Sequence, residues 1–200
     1  MKRNILFITA ILSLIFTVLI SISIGAVEIS PGEIVNVFIG KGEGSNRTII
    51  LNLRLPRVIA ASLAGMGLSI VGTFFQGLLR NPMADPYVLG ISSGAALGAT
   101  LAIILSLGLF GISFMAFGTS LLVIAFVYMV SRTGTKISMN TMLLAGIAVS
   151  SLISALISLL MLLNHEELNR IFFWTMGGFN LVNWNSVAFA APVILISSSI

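Results

Sequence analysis

Two arginines, Arg54 and Arg57, bracket a proline in Leu53-Arg54-Leu55-Pro56-Arg57. A guanidinium presents a planar fork of donors that matches a carboxylate, so this pair is suited to docking acidic groups of an external partner. The same side chains also suit an interfacial anchor, with stems in the apolar layer and heads in water. Spacing leaves both readings open. Further on, Gln76 is an amide set deep in an apolar run, able to hydrogen-bond to a neighbouring helix or to touch a solute. Ser150, Ser154 and Ser158 follow Gly146 at intervals of four, which puts them on one helix face. Hydroxyls so placed either bond to helix backbones or line a wet path. No catalytic or metal-binding set is expected, and no cofactor: the chain has no cysteine, hence no thiolate ligand and no disulfide framework. The glycine-rich piece around Lys41 is not a phosphate loop, because Gly42 stands where Ser or Thr is required.

These residues need helices that cross a membrane. Of the 200 residues, 58% are hydrophobic and only 8% charged, against roughly 25% charged in a soluble domain; mean hydropathy is +1.13. A helix crossing the hydrocarbon layer uses about 20 apolar residues, and several runs reach that length. The expected fold class is all-α, a polytopic transmembrane helical bundle of about six spans forming one domain over residues 1–200. The spans are read as Ile5–Val27, Val58–Leu79, Val88–Leu107, Ile112–Val130 and Met139–Leu163, with a sixth from about Val187. The apolar run at the amino end is longer than the ~7–15 residues of a signal peptide, so it is read as an uncleaved span. The last run is still apolar at Ile200, without an interfacial anchor. The expectation is the amino-terminal part of a longer protein, incomplete at its carboxyl end.

Placing the amino terminus in the cytoplasm puts Lys2, Arg3, Arg80, Arg132 and Lys136 inside and five further bases outside, a tie in count. Lys2-Arg3 before the first span and Arg132-Lys136 in a short connection favour that orientation. The bases are scattered rather than clustered, so no nucleic acid is expected as a partner. All sixteen charges fall at span ends or in connections, which disfavours a proton- or sodium-coupled secondary carrier or channel. In the polar connection Glu28–Leu53, Ser30-Pro31-Gly32-Glu33 carries the signature of a capped short helix over residues 31–39.

Two features shape the middle of the chain. Asn81-Pro82 and Asp85-Pro86 are each an N-cap residue followed by a first-turn proline, a shaped cytoplasmic corner in which Asp85 caps the third span. Gly90, Gly94 and Gly98 then stand four apart, a bare face against which another helix can pack closely.

Leu53-Arg54-Leu55-Pro56-Arg57, Gln76, Leu79-Arg80-Asn81-Pro82-Met83-Ala84-Asp85-Pro86, Leu89-Gly90-Ile91-Ser92-Ser93-Gly94-Ala95 and Phe173-Trp174-Thr175-Met176-Gly177-Gly178-Phe179 with Trp184 occur in this order. Together they resemble the permease subunits of ABC importers for iron-siderophores, haem and cobalamin. The resemblance implies a multi-pass cell-membrane protein of about ten spans, working as a homodimer with the substrate path along its axis. It implies ATPase subunits bound inside, a substrate-binding protein docked outside, and no ATP hydrolysis by this chain. It places Arg54 and Arg57 on the docking face, the serine stripe near the path, and Asn81–Pro86 on the cytoplasmic side. It supports a cytoplasmic amino terminus. In the family the loop that grips the ATPase lies beyond the sixth span, so a truncated, non-transporting fragment stays among the alternatives. The cargo, whether siderophore, haem or cobalamin, is not specified.

Overall fold

The computed structural model describes residues 2–42, 44–81, 85–133 and 136–198. Among these residues the regular structure is helical apart from a short antiparallel ladder, Arg132–Thr133 against Lys136–Ile137. Among the described residues four helices are long and apolar enough to cross a membrane: Asn4–Ser23, Gly44–Leu78, Leu109–Ser131 and Met139–Leu163. Two further apolar helices, Ile91–Ile104 and Trp184–Ser198, are shorter. These six fall at the places of the six expected spans, and four of them reach membrane-crossing length. The described residues divide into two compact units.

The first unit comprises residues 1–68 and 179–200. It holds α1 (Lys2–Ser23), α2 (Pro31–Phe38), α3 (Gly44–Thr48), a π-helical segment (Ile49–Arg54), the start of α4 (Leu55–Leu79) and α9 (Trp184–Ser198). The Ser-Pro-Gly-Glu signature does start α2. The Ser30 backbone N–H donates to Glu33 Oε2 at 3.1 Å, and Glu33 N–H donates to Ser30 Oγ at 3.3 Å. Ile34 and Val37, three apart, turn the same face inward against Ile22, Ile29 and Ile50. Asn46 Nδ2 donates to Glu33 Oε1 at 3.1 Å, tying α3 to α2. The expected connection to Leu53 is therefore too long. Helix begins at Gly44 and runs through the π segment into α4, so Arg47, Arg54 and Arg57 are helical.

The second unit comprises residues 69–178. It holds the rest of α4, a 3-10 turn (Pro86–Leu89), α5 (Ile91–Ile104), α6 (Leu109–Ser131), α7 (Met139–Leu163), a 3-10 turn (His165–Glu167) and α8 (Leu168–Met176). Its core joins Ala99, Ala102 and Ile103 of α5, Ile112 and Ala116 of α6, Ile153 and Ile157 of α7, and Ile171 of α8. The third span is shorter than expected. At 14 residues, α5 extends about 21 Å, short of the ~30 Å hydrocarbon layer. It ends where Ser106 adopts φ 55° although the sequence stays apolar, and it starts only after a separate 3-10 turn.

Candidate functional site

The π segment delivers Arg54 beneath the end of α1 rather than to the surface. Arg54 is 8% exposed. Its Nη1 donates to Ile22 O at 2.6 Å and Ser23 O at 2.8 Å, and its Nη2 donates to Val27 O. The guanidinium expected to dock a partner is thus buried, with three of its five N–H donors on backbone carbonyls. Arg57 is half-buried, and its Nη2 donates to Asn180 O at 2.6 Å. Trp184 Nε1 donates to Leu51 O, within the π segment, at 2.9 Å. The stretch from Leu51 to Arg57 and the stretch from Asn180 to Trp184 thus meet through backbone carbonyls. Sequence reasoning missed this pairing, because no local pattern links residues so far apart in the chain.

In the second unit, Tyr87, Val88, Ile147, Ser150, Ser151 and Ser154 line an open groove. Ser150 is half-buried; Ser93 Oγ lies 3.0 Å from Ser150 Oγ and 2.9 Å from Gly90 O, within hydrogen-bond reach of both. Ser154 and Ser158 are exposed and donate to Ser150 O and Ser154 O of their own helix, each at 2.9 Å. The structure therefore brings Ser150 and Ser154 to one groove and leaves Ser158 outside it. Gln76 is exposed, and its amide makes no hydrogen bond among the described residues. The expected bond from Gln76 to a neighbouring helix is absent there, because its face of α4 has no described neighbour within bonding distance.

The glycines of α5 lie against α6. A Cβ on Gly94 would stand 2.9 Å from Val123 Cγ2 and 3.1 Å from Ser120 Cα. On Gly98 it would run into Thr119 Oγ1 and the Met115 carbonyl. Thr119 Oγ1 sits 2.7 Å from both Gly94 O and Met115 O, so a hydroxyl bridges the seam. Gly90 differs from the other two. It lies outside the helix at φ 82°, closing the 3-10 turn and starting α5, a conformation glycine adopts without strain. Gly146 of α7 presses on the Val88 carbonyl and on Leu89 Cα, the latter 3.0 Å from its would-be Cβ.

At the corner, Asn81 N–H donates to Gln76 O at 3.2 Å. Pro82, Met83 and Ala84, and with them the turn expected after Asn81, lie outside the described residues. Asp85 Oδ1 accepts from Tyr87 N–H at 2.8 Å. Asp85 thus caps the 3-10 turn that begins at Pro86 and not the third span itself, since the left-handed Gly90 separates the two.

A family model described as the FecCD transport family matches residues 13–200. The chain belongs to the FecCD transport family. Among curated relatives it is 35% identical over 196 residues to the uncharacterized ABC transporter permease protein YvrB of Bacillus subtilis, covering 91% of this chain and 56% of that protein. It is 35% identical over 198 residues to the molybdate import system permease protein MolB of Haemophilus influenzae, covering 94% and 58%. It is 39% identical over 154 residues to the hemin transport system permease protein HmuU of Yersinia pestis, covering 74% and 46%. A solved inward-facing structure assigned to a metal-chelate type ABC transporter superposes with a TM-score of 0.78 at 33% identity, covering 98% of this chain and 60% of that one. The chain therefore spans roughly half to three-fifths of the length of these relatives. Family membership and four helices of membrane-crossing length and apolarity make it a membrane protein.

Proposed function

We propose that this chain supplies membrane-spanning helices of the permease subunit of an ATP-driven importer for a metal chelate. The observation that carries this reading is one-third identity over nearly the whole chain, both to import permeases and to a solved transporter of that type. The finer assignments belong to the same proposal. Two permease copies enclose the path, separate ATPase subunits hydrolyse ATP inside, and a substrate-binding protein docks outside. The amino terminus lies in the cytoplasm, with Lys2-Arg3 and Arg132-Lys136 on that side. The relatives' cargoes differ, molybdate for one and hemin for another, so the class proposed is a metal-containing anion or chelate.

Within this reading, the groove at Ser150 and Ser154 is the candidate lining of the path, because it presents hydroxyls on an otherwise apolar helix. Gln76, exposed on α4, is a second candidate contact. Arg54 and Arg57 are the candidate docking residues, Arg57 being the less buried of the two, and Asn81, Pro82, Asp85 and Pro86 form the candidate corner on the ATPase side. Gly90, Gly94 and Gly98 serve packing. The test is uptake into proteoliposomes carrying the full-length permease with its ATPase and binding protein. ATP-dependent accumulation of a chelate is expected. Accumulation that persists without the ATPase and follows a proton or sodium gradient would overturn the reading in favour of a secondary carrier.

A further inference from the structure

Two of the three carbonyls that Arg54 meets, Ile22 O and Ser23 O, are the last of α1, and the third, Val27 O, lies in the connection that follows. A helix leaves its last carbonyls without intrahelical partners, and they carry the negative end of the helix dipole. The last turn of α1 holds no basic residue to offset this, and the segment that follows runs Ile24-Gly25-Ala26-Val27, without a donor side chain. Arg54, 32 residues away from Ile22 in sequence, brings donors to Ile22 O, Ser23 O and Val27 O. Ile50, four residues earlier and fully buried, packs in the same cluster as Ile22. One stretch of helix therefore supplies both the apolar and the polar contact to the end of α1.

Gly25 is the second, independent sign. Its φ lies outside the left-handed region, so backbone conformation does not require glycine there; space does. A Cβ at Gly25 would stand 2.6 Å from Arg54 Nη2 and 2.9 Å from Cζ. A long side chain normally swings away from such a contact at little cost, but this one is held by three carbonyls and must give them up to move. The π segment that ends at Arg54 inserts its extra residue per turn just where the side chain must be re-aimed.

We propose that Arg54 is the C-terminal cap of α1, a latch for which Gly25 is the opening, and that it fixes α1 to the helix beginning at Gly44. The role is one of positioning and needs the guanidinium's geometry as well as its charge. A lysine in its place keeps the charge but brings its donors to a single point, and cannot reach three carbonyls set apart.

The experiment uses the purified chain in detergent with no ATPase, binding protein or solute, so its outcome is independent of the transport reading. Thermal midpoints are measured for Gly25→Ala, Arg54→Ala and the double variant. Spin-label distances are measured between cysteines placed at Phe16 and Leu68, both exposed, in a chain with no native cysteine. Gly25→Ala is expected to lower the midpoint by several degrees when Arg54 is present and to leave it unchanged in the Arg54→Ala background. Arg54→Lys is expected to broaden the distance distribution and lower the midpoint, as Arg54→Ala does. Should Arg54→Ala not yield folded protein, Arg54→Lys replaces it in the cycle, and the two effects should again be non-additive. A wild-type distribution and midpoint in Arg54→Lys, or an equal loss from Gly25→Ala in both backgrounds, overturns the latch.

Discussion

Where α5 meets α6, backbone comes almost against backbone; where the long helix meets the end of α1, a guanidinium fills the gap. The first contact works by removing side chains, as at Gly94 and Gly98. The second works by inserting a long one, as at Arg54. Both answer one problem. Lipid tails are as apolar as leucine, so burial against a neighbouring helix brings little hydrophobic gain, and adhesion must come from close van der Waals contact or from polar bonds. A glycine seam suits helix middles, where every carbonyl is already bonded within its own helix. A charged donor suits a helix end, where carbonyls are free.

The seam and the latch differ in what breaks them. Gly98→Leu forces four carbons into the Met115 carbonyl and Thr119. It is expected to cost about 3 kcal/mol or more, read as loss of a monodisperse species or a steep fall in thermal midpoint in detergent; an unaltered midpoint would show that α5 does not pack closely on α6. Gly146→Ala meets Val88 and Leu89 backbone atoms and is expected to cost about 2 kcal/mol, checked by the same melt. Trp184→Phe removes the donor to Leu51 O while keeping an aromatic ring. A loss of about 1 kcal/mol is expected, and no change would remove this bond from the contacts that hold the start of α4. Ser154→Ala deletes a hydroxyl bonded only to its own helix. Stability should move by less than about 0.5 kcal/mol, so a change in chelate uptake at constant midpoint would assign Ser154 to the path.

Much of this architecture was legible in the chain. α7 is Met139–Leu163, as its uninterrupted apolar run predicts, and Ser30-Pro31-Gly32-Glu33 builds the expected capping box, because such signals are local. The start of the long helix was not legible. Gly44-Ser45-Asn46 are weak helix formers, yet the segment is helical, with Asn46 held to Glu33 and Ile50 buried beneath α1 and α2. α8 was missed for a related reason. Leu168–Met176 is short and follows a charged turn, and the burial of Ile171 against α5 and α7 is a tertiary fact. The serine stripe was visible as a stripe, but the point at which it leaves the groove, between Ser154 and Ser158, was not.

The amino-acid order by itself determined the membrane class, the helical fold and the places where glycine bares a helix face. Hydropathy and spacing are sums over neighbours, and neighbours are given by the chain. Only the tertiary structure decided where the arginines go. Arg54 lies at the close of the π segment, against the space left by the missing Cβ of Gly25. Neither alters the local pattern of charge and apolarity from which a sequence is read.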